Sequence, residues 1–560
     1  MIPISIYTLI AGSLLLVLLI LSGRRIPWIW LVLWGISPLL IVYLLNPGFR
    51  VYSFHSFMHG GIVYQILNGD IPPLDPLVAG HPVHYPWGPH LIAAGISGIF
   101  RVTPFYSLAF LNAASLVLVL VLIYKISRLL VDDDRAAILA VICSVYGVTV
   151  FIPEMLELLP DGFPAEIRGI PILHKFITLN TLPIGLVCFL LALYSAIRLL
   201  RGSHLVGTGM LLLASILGTG FFYPAFMPGI IATVATGLVV ALVLHIGDRG
   251  RVNWLRAGLV LAATCIGLAV LRPYLTSVGA GTLSSLAILN WTYVGKNSIK
   301  YLLVAVPMLV IVLANLGTIR DRFQRPALFV VAAATLATMG SYVLTHLPFD
   351  NEYKFLLLST VTLGILGGAV LGSLRGSYGK CMAFVLIGLL LIPSFRIVRL
   401  RVSRGHDVAS TYVERGVNIH TTNEEENELY TWIRENTATN SVFIDRELEI
   451  PVLARRQLLV GVGGSRRPGQ KGFGGINIIL QFQSGYDTEM LNTRRRIVDR
   501  IYSESDRLTE TEWDELRSLT SDIYVVARTP EQSGIQSQAG FKRVFASSDD
   551  SVTVYKLEIR

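Results

Sequence analysis

Uncharged runs close to twenty residues long recur along this chain, and they constrain it more than any other feature. In hydrocarbon a backbone must satisfy its own hydrogen bonds, and a helix of about twenty residues does so across a bilayer core about 30 Å thick. Twelve such segments can be drawn, at about 6–22, 27–45, 105–126, 136–152, 181–199, 205–221, 224–245, 257–273, 300–317, 326–345, 355–373 and 381–395. The first has no basic residue before it and Arg24-Arg25 after it, the reverse of a cleaved signal peptide, so it is expected to stay as a helix. With 53% of 560 residues hydrophobic and 15% charged, a soluble fold is excluded.

Orientation follows from the basic residues of the short loops. Fifteen fall in alternate loops: Arg24, Arg25, Lys125, Arg128, Arg135, Arg198, Arg201, Arg249, Arg251, Arg256, Arg320, Arg322, Arg325, Arg375 and Lys380. The other side has eight before residue 396, spread over longer loops. The first side is therefore expected to be cytoplasmic, with both termini outside. Arg396, Arg399, Arg401 and Arg404 follow the last segment on the outer side, where they suit lipid phosphates or signal one span more or fewer. "LIAAGISGIF" (91–100) is expected as a short helix in the outer interface. The net charge of +9 fits loops facing an anionic membrane, and no basic cluster interleaved with aromatics points to nucleic acid. Cys143, Cys188, Cys265 and Cys381 lie in or at the ends of apolar segments, which predicts no disulfide framework and no cysteine metal knuckle.

Two domains are expected: 1–404, a transmembrane domain with large external loops at 46–104 and 153–180, and 405–560, a mixed α/β domain outside the cytoplasm. In the latter, "NEEENELYTWIRENT" reads as an amphipathic helix, while "SVFID", "DIYVVA" and "VTVYKL" read as strands. A Gly-rich loop follows a strand within 457–475, and Thr509 three residues before Glu512 reads as a helix cap.

The polar groups cluster in the external loops, whereas a secondary transporter keeps them near the midplane. The first loop carries His55, His59, Asp70, Asp75, His81, His84 and His90. His55 and His59, four apart, share a face if helical, a spacing that suits a divalent cation (Mg, Mn or Zn) and equally histidines that brace a folded loop. Tyr85 and Trp87 suit either a sugar ring or the interfacial aromatic belt. In the second loop Glu154 and Glu157, three apart, are cation ligands, a base or a solvated acidic face. The third, "THLPFDNEYKFLLL", sets Tyr353 and Lys354 at the mouth of a span, where Lys354 neutralises a lipid phosphate, snorkels or pairs with Glu352. Arg272 is a further donor on that side.

These residues resemble the C-superfamily (GT-C-like) of polytopic membrane glycosyltransferases that use polyprenyl-phosphate sugar donors. The family pattern is D-x-x-x-H, then I-x-x-G-x-x-P-P, then G-x-P-x-x-Y-x-x-G-x-H. Here it reads His55-x-x-x-His59, "ILNGDIPP" and "GHPVHYPWGPH". The resemblance implies an α-helical polytopic fold with a C-terminal extracytoplasmic α/β domain. It also implies sugar transfer from a polyprenyl-phosphate carrier to a glycan, lipid or protein acceptor on the external face of the plasma (inner) membrane, by inverting displacement. It places a base at His55, His59 or Asp70. Substrate contacts fall to Asp75, His84, Tyr85, Trp87, His90, Arg272, Tyr353 and Lys354, and metal ligation to His55, His59, Glu154 and Glu157. His55 stands where the family carries an acidic residue, so His55 takes that role, or Asp70 or Glu154 does, or catalysis is lost. A transporter or flippase of lipid-linked glycans and a non-catalytic scaffold of the same fold are the alternatives.

Overall fold

The computed structural model describes residues 33–40, 54–146, 172–177, 181–246, 254–278, 287–346, 352–374, 424–446, 449–461, 486–503, 507–519, 522–529 and 540–558, apart from isolated positions, and parts of 377–391. Contacts divide the chain into two compact units. A spanning unit takes 1–47, 110–276 and 282–403, and a loop–tail unit takes 48–109, 277–281 and 404–560. The first loop, expected with the spans, thus belongs with the tail.

Among the described residues, six helices are long and apolar enough to cross a membrane: Pro104–Leu130, Leu182–Leu200, Leu205–Phe222, Trp254–Ser277, Arg325–Leu344 and Tyr353–Ser373. Each falls on an expected segment. A seventh, Trp291–Ala314, bends by 69° between Val306 and Met308, where Pro307 removes a backbone donor. The expected segment 224–245 is also helical, as Met227–Ile246 after a short turn at Pro224–Phe226; the others run wholly or partly outside the described residues, 6–22 entirely so. The expected helix at 91–100 is present as Gly88–Phe100, 13 residues, too short to span.

Small residues set the packing of the spanning unit, because between lipid-facing helices close van der Waals contact replaces the hydrophobic drive. Gly364, Gly368 and Gly372 line one stripe of Tyr353–Ser373, and there Asp134–Tyr146 comes backbone to backbone. A Cβ on Gly364 would sit 2.7 Å from Ser144 Cα, one on Gly368 2.5 Å from Ala140 Cα, and one on Gly372 would strike Ala136. Polar contacts add to this: Tyr301 and Ser359 hydroxyls lie 2.8 Å apart, and Thr335 donates to Thr362 at 2.9 Å.

The two ends of this unit differ. At one end, arginines of the basic hairpins cap the carbonyl ends of neighbouring helices, where the helix dipole is negative. Arg201 donates to Leu129 O at 3.2 Å, Arg256 to Leu199 O at 2.6 Å, and Arg322 to Ser373 O at 2.7 Å. Their charge therefore serves helix ends.

In the loop–tail unit, β1 (Val442–Ile444), β2 (Gln457–Leu458), β3 (Ile523–Arg528), β4 (Phe541–Ala546) and β5 (Val552–Leu557) form a sheet of order β2-β1-β3-β5-β4. The first three strands are parallel, and β3-β5 and β5-β4 are antiparallel. Helices Glu424–Asn436, Thr488–Ile501 and Glu510–Ser518 accompany it, the last opened by a Thr509–Glu512 capping box. β4, with a half-exposed pattern and a bulge, gave no alternation to read.

The sheet does not end at β2. Leu458 N–H donates to Pro76 O at 3.0 Å, Ala79 N–H to Leu458 O at 2.9 Å, and Gly461 N–H to Leu77 O at 2.8 Å. Residues 76–79 of the first loop therefore cover an edge that would otherwise present unpaired backbone groups. Arg494, 2% exposed, locks the seam by donating to Ala79 O at 2.7 Å and Leu459 O at 3.2 Å, and it pairs with Glu515 at 2.7 Å.

Candidate functional site

The first-loop residues gather into two centres within the loop–tail unit. Phe54–Leu67 is helical, so His55 and His59 share a face; the His55 side chain lies outside the described residues. His59 is fully buried and its Nδ1 lies 2.8 Å from Nε2 of His90, which is buried at the start of Gly88–Phe100. Tyr85 packs beside both rings, at 5.6 Å from His59 and 6.1 Å from His90. Burial pushes His90 down to about 3, so it is neutral at physiological pH. Such a pair is sealed from solvent.

The second centre is Asp75. It too is fully buried, its Oδ1 accepting from Leu77 N–H at 2.7 Å and its Oδ2 from the Tyr486 hydroxyl at 2.8 Å. Gln457 donates to its carbonyl at 2.8 Å, and the His81 and His84 rings stand edge-on to Tyr486. The carboxylate and the neighbouring burial push the Tyr486 phenol up, with burial the larger cause. Asp75 thus sits in the seam between loop and tail. Asp70 differs: it is only half-buried, its N–H donates to Gln65 O at 3.1 Å, and desolvation raises its carboxyl pKa. Trp87, half-exposed, precedes Gly88–Phe100.

A separate polar cluster occupies the end of the spanning unit opposite the arginine caps. Tyr353 and Lys354 open the helix Tyr353–Ser373. Lys175, from the short helix Ile172–Ile177, donates to the Tyr353 hydroxyl at 3.4 Å and lies 4.7 Å from its ring centroid. Lys354 Nζ stands 5.4 Å over the Tyr223 ring, and among the described residues no carboxylate comes within ion-pair distance of it. Glu352, by contrast, is buried and meets His346 Nδ1 at 3.3 Å, while His346 stacks on Tyr293 at 3.6 Å. Two ammonium groups with aromatic neighbours make a place for an anion. Arg272 is exposed near the end of Trp254–Ser277.

Among the described residues no group of three His, Cys, Asp or Glu is placed to hold a metal ion. Glu154, Glu157 and Asp350 lie outside the described residues. Lys175, Tyr223 and Tyr486 escape sequence reasoning, since lone residues carry no spacing. Only the stretch "LHKFITLN" at the end of the second loop draws attention to Lys175.

No protein-family model and no curated protein matches the sequence. Solved structures do. ArnT from Cupriavidus metallidurans, bound to undecaprenyl phosphate, matches with a TM-score of 0.55 and 10% identity over 94% of this chain and 98% of that one. The arabinofuranosyltransferase AftD from Mycobacteria matches with a TM-score of 0.56 and 12% identity, over 96% of this chain and 40% of that longer one. Identities this low speak for architecture alone, and on that ground the protein is a multi-pass membrane protein with the GT-C-like fold of the polytopic membrane glycosyltransferases.

Proposed function

We propose that this protein transfers a sugar from a polyprenyl-phosphate carrier to a glycan, lipid or protein acceptor, at the outer face of the plasma (inner) membrane. The observation that carries this reading is the end-to-end likeness to ArnT, which binds undecaprenyl phosphate. We assign both termini and the tail to the outer side and keep the span count at about twelve.

The reaction is an in-line displacement. An acceptor hydroxyl oxygen bonds to the anomeric carbon as the bond from that carbon to the phosphate oxygen breaks, its electron pair staying on the phosphate. We assign the hydroxyl proton to Asp70: its carboxyl is accessible and its raised pKa makes it a better base than an ordinary aspartate. His59, sealed against His90, is assigned to holding the loop's shape. Lys354 and Lys175, with Tyr353, are assigned to the leaving phosphate, which preorganised cations stabilise as charge develops. His84, Tyr85, Trp87 and Arg272 remain candidates for the sugar and carrier. A divalent cation on His55 and His59 with Glu154 and Glu157 is tested by chelation before assay.

Sugar transfer in reconstituted vesicles tests the reading. Asp70→Ala should slow turnover by on the order of 100-fold or more, and Lys354→Ala should weaken undecaprenyl-phosphate binding. Transfer that survives Asp70→Ala and falls with His55→Ala moves the base to His55. His55 in the acidic position favours the non-catalytic scaffold, and absence of any transfer with retained carrier binding would establish it. Labelling of Gln470→Cys, in a background without the exposed Cys265 and Cys381, reports on which side the tail lies.

A further inference from the structure

Three arginines of the loop–tail unit stand together. Arg434 lies in the last turn of Glu424–Asn436, and Arg455 and Arg456 follow the turn Ile450–Ala454. Among the described residues none of the three makes an ion pair. Arg456, 4% exposed, donates to Ile433 O, Arg434 O and Thr437 O at 3.5, 3.1 and 2.7 Å, and to Ala454 O and Arg455 O at 3.3 Å each. Its guanidinium thereby caps the carbonyl end of the helix, a favourable place for a cation, and ties the Arg434 backbone to the Arg455 backbone.

Those other two side chains are exposed. Arg434 Nη1 donates to Leu453 O at 2.5 Å, which aims its head toward the turn that carries Arg455. Arg455 has a left-handed backbone, φ 59°, and its head lies 4.9 Å from the ring of Tyr64. That conformation strains a residue with a Cβ, and glycine would adopt it freely, yet here it holds a guanidinium over an aromatic wall. Burial pushes the Tyr64 phenol up, while first Arg455 and then Arg434 pull it back, so both charges bear on one spot. Like charges held together repel, and strain kept at a charged side chain marks a place built for a ligand.

We propose that Arg434 and Arg455, braced by Arg456 and walled by Tyr64, form an anion site that takes a phosphoryl group. Guanidinium forks match phosphate oxygens in pairs, which singles out that chemistry over a point anion. The site stands whether or not the chain transfers sugar, and it shares no residue with the lysine cluster of the spanning unit. Its ligand is either an anionic lipid headgroup or a free phosphate-bearing molecule.

Two arms distinguish these sources, using the full chain in neutral detergent. Inorganic pyrophosphate is titrated at low salt, and phosphatidylglycerol is titrated against phosphatidylcholine by native mass spectrometry. Saturable binding of either anion, lowered at least tenfold by the R434Q/R455Q double variant, supports the site and names its source. Arg455→Lys, which keeps the charge but not the fork, should retain binding weakened several-fold, and an unchanged melting temperature shows the variants are folded. If neither anion binds, or the folded double variant binds as wild type does, the proposal is wrong.

Discussion

Replacing Asp75 with alanine removes the acceptor of two hydrogen bonds at the seam between loop and tail, 2.7 Å from Leu77 N–H and 2.8 Å from the Tyr486 hydroxyl. Hydrogen bonds to a charged group are worth about 1.5–3 kcal/mol each. Tyr486 keeps a second acceptor, Pro82 O at 3.0 Å, so the loss there is only partial. The Leu77 amide, already inside, is left without this acceptor. A net cost of about 3 kcal/mol follows, or on the order of 100-fold in the opening equilibrium of the seam. Hydrogen exchange reads this directly, because Ala79, Leu458 and Gly461 amides bond across the seam. Peptides covering 76–79 and 457–461 should lose protection by that factor. Tyr486→Phe should cost less, since the Leu77 bond remains. If protection is unchanged while Asp75→Ala abolishes sugar transfer, Asp75 is a substrate residue and the structural assignment fails.

Acid should weaken the loop–tail unit through His90. Its folded pKa, about 3, lies below the unfolded value, so its stability contribution is complete above about pH 6.5 and falls away as pH drops toward 3. Melting temperature should decline from pH 7 to 4.5, and His90→Asn should flatten the slope; equal slopes would refute the assignment. Asp70, with its carboxyl raised, puts the acid limb of turnover above an ordinary aspartate's, with activity growing as pH climbs through it; Asp70→Glu should move that limb. In the spanning unit, Gly368→Leu should cost about 1–3 kcal/mol by overpacking against Ala140, read as a lower melting temperature in detergent. Gly258→Leu, where nothing lies within 4 Å, is the control and should melt as wild type does.

Period and composition made the membrane helices readable: six spans fall where apolar runs stand, because lipid demands length and greasiness and little else. In the tail, "VTVYKL" matches β5 residue for residue, and Thr509 with Glu512 makes the expected box, since both signals are local. The spacing of four between His55 and His59 hid the partnership that matters for His59. Its ring meets His90, 31 residues on, through a turn no periodicity encodes. The partner of Asp75 is hidden for the same reason: Tyr486 is 411 residues away. The bias of Arg and Lys toward alternate loops is plain in the sequence, yet the use of Arg201, Arg256 and Arg322 as caps for other helices depends on packing.

The edge strand borrowed from residues 76–79 has a consequence for biosynthesis. A ribosome delivers that stretch early and its partners at 457–461 only after every span between them has been made. Until then the buried acid at 75 and the amides around it face water or chaperones. Insertion can therefore finish well before the polar half of the molecule folds, and a chain released before Gln457 would carry a raw strand edge, the mark by which quality control finds incomplete products.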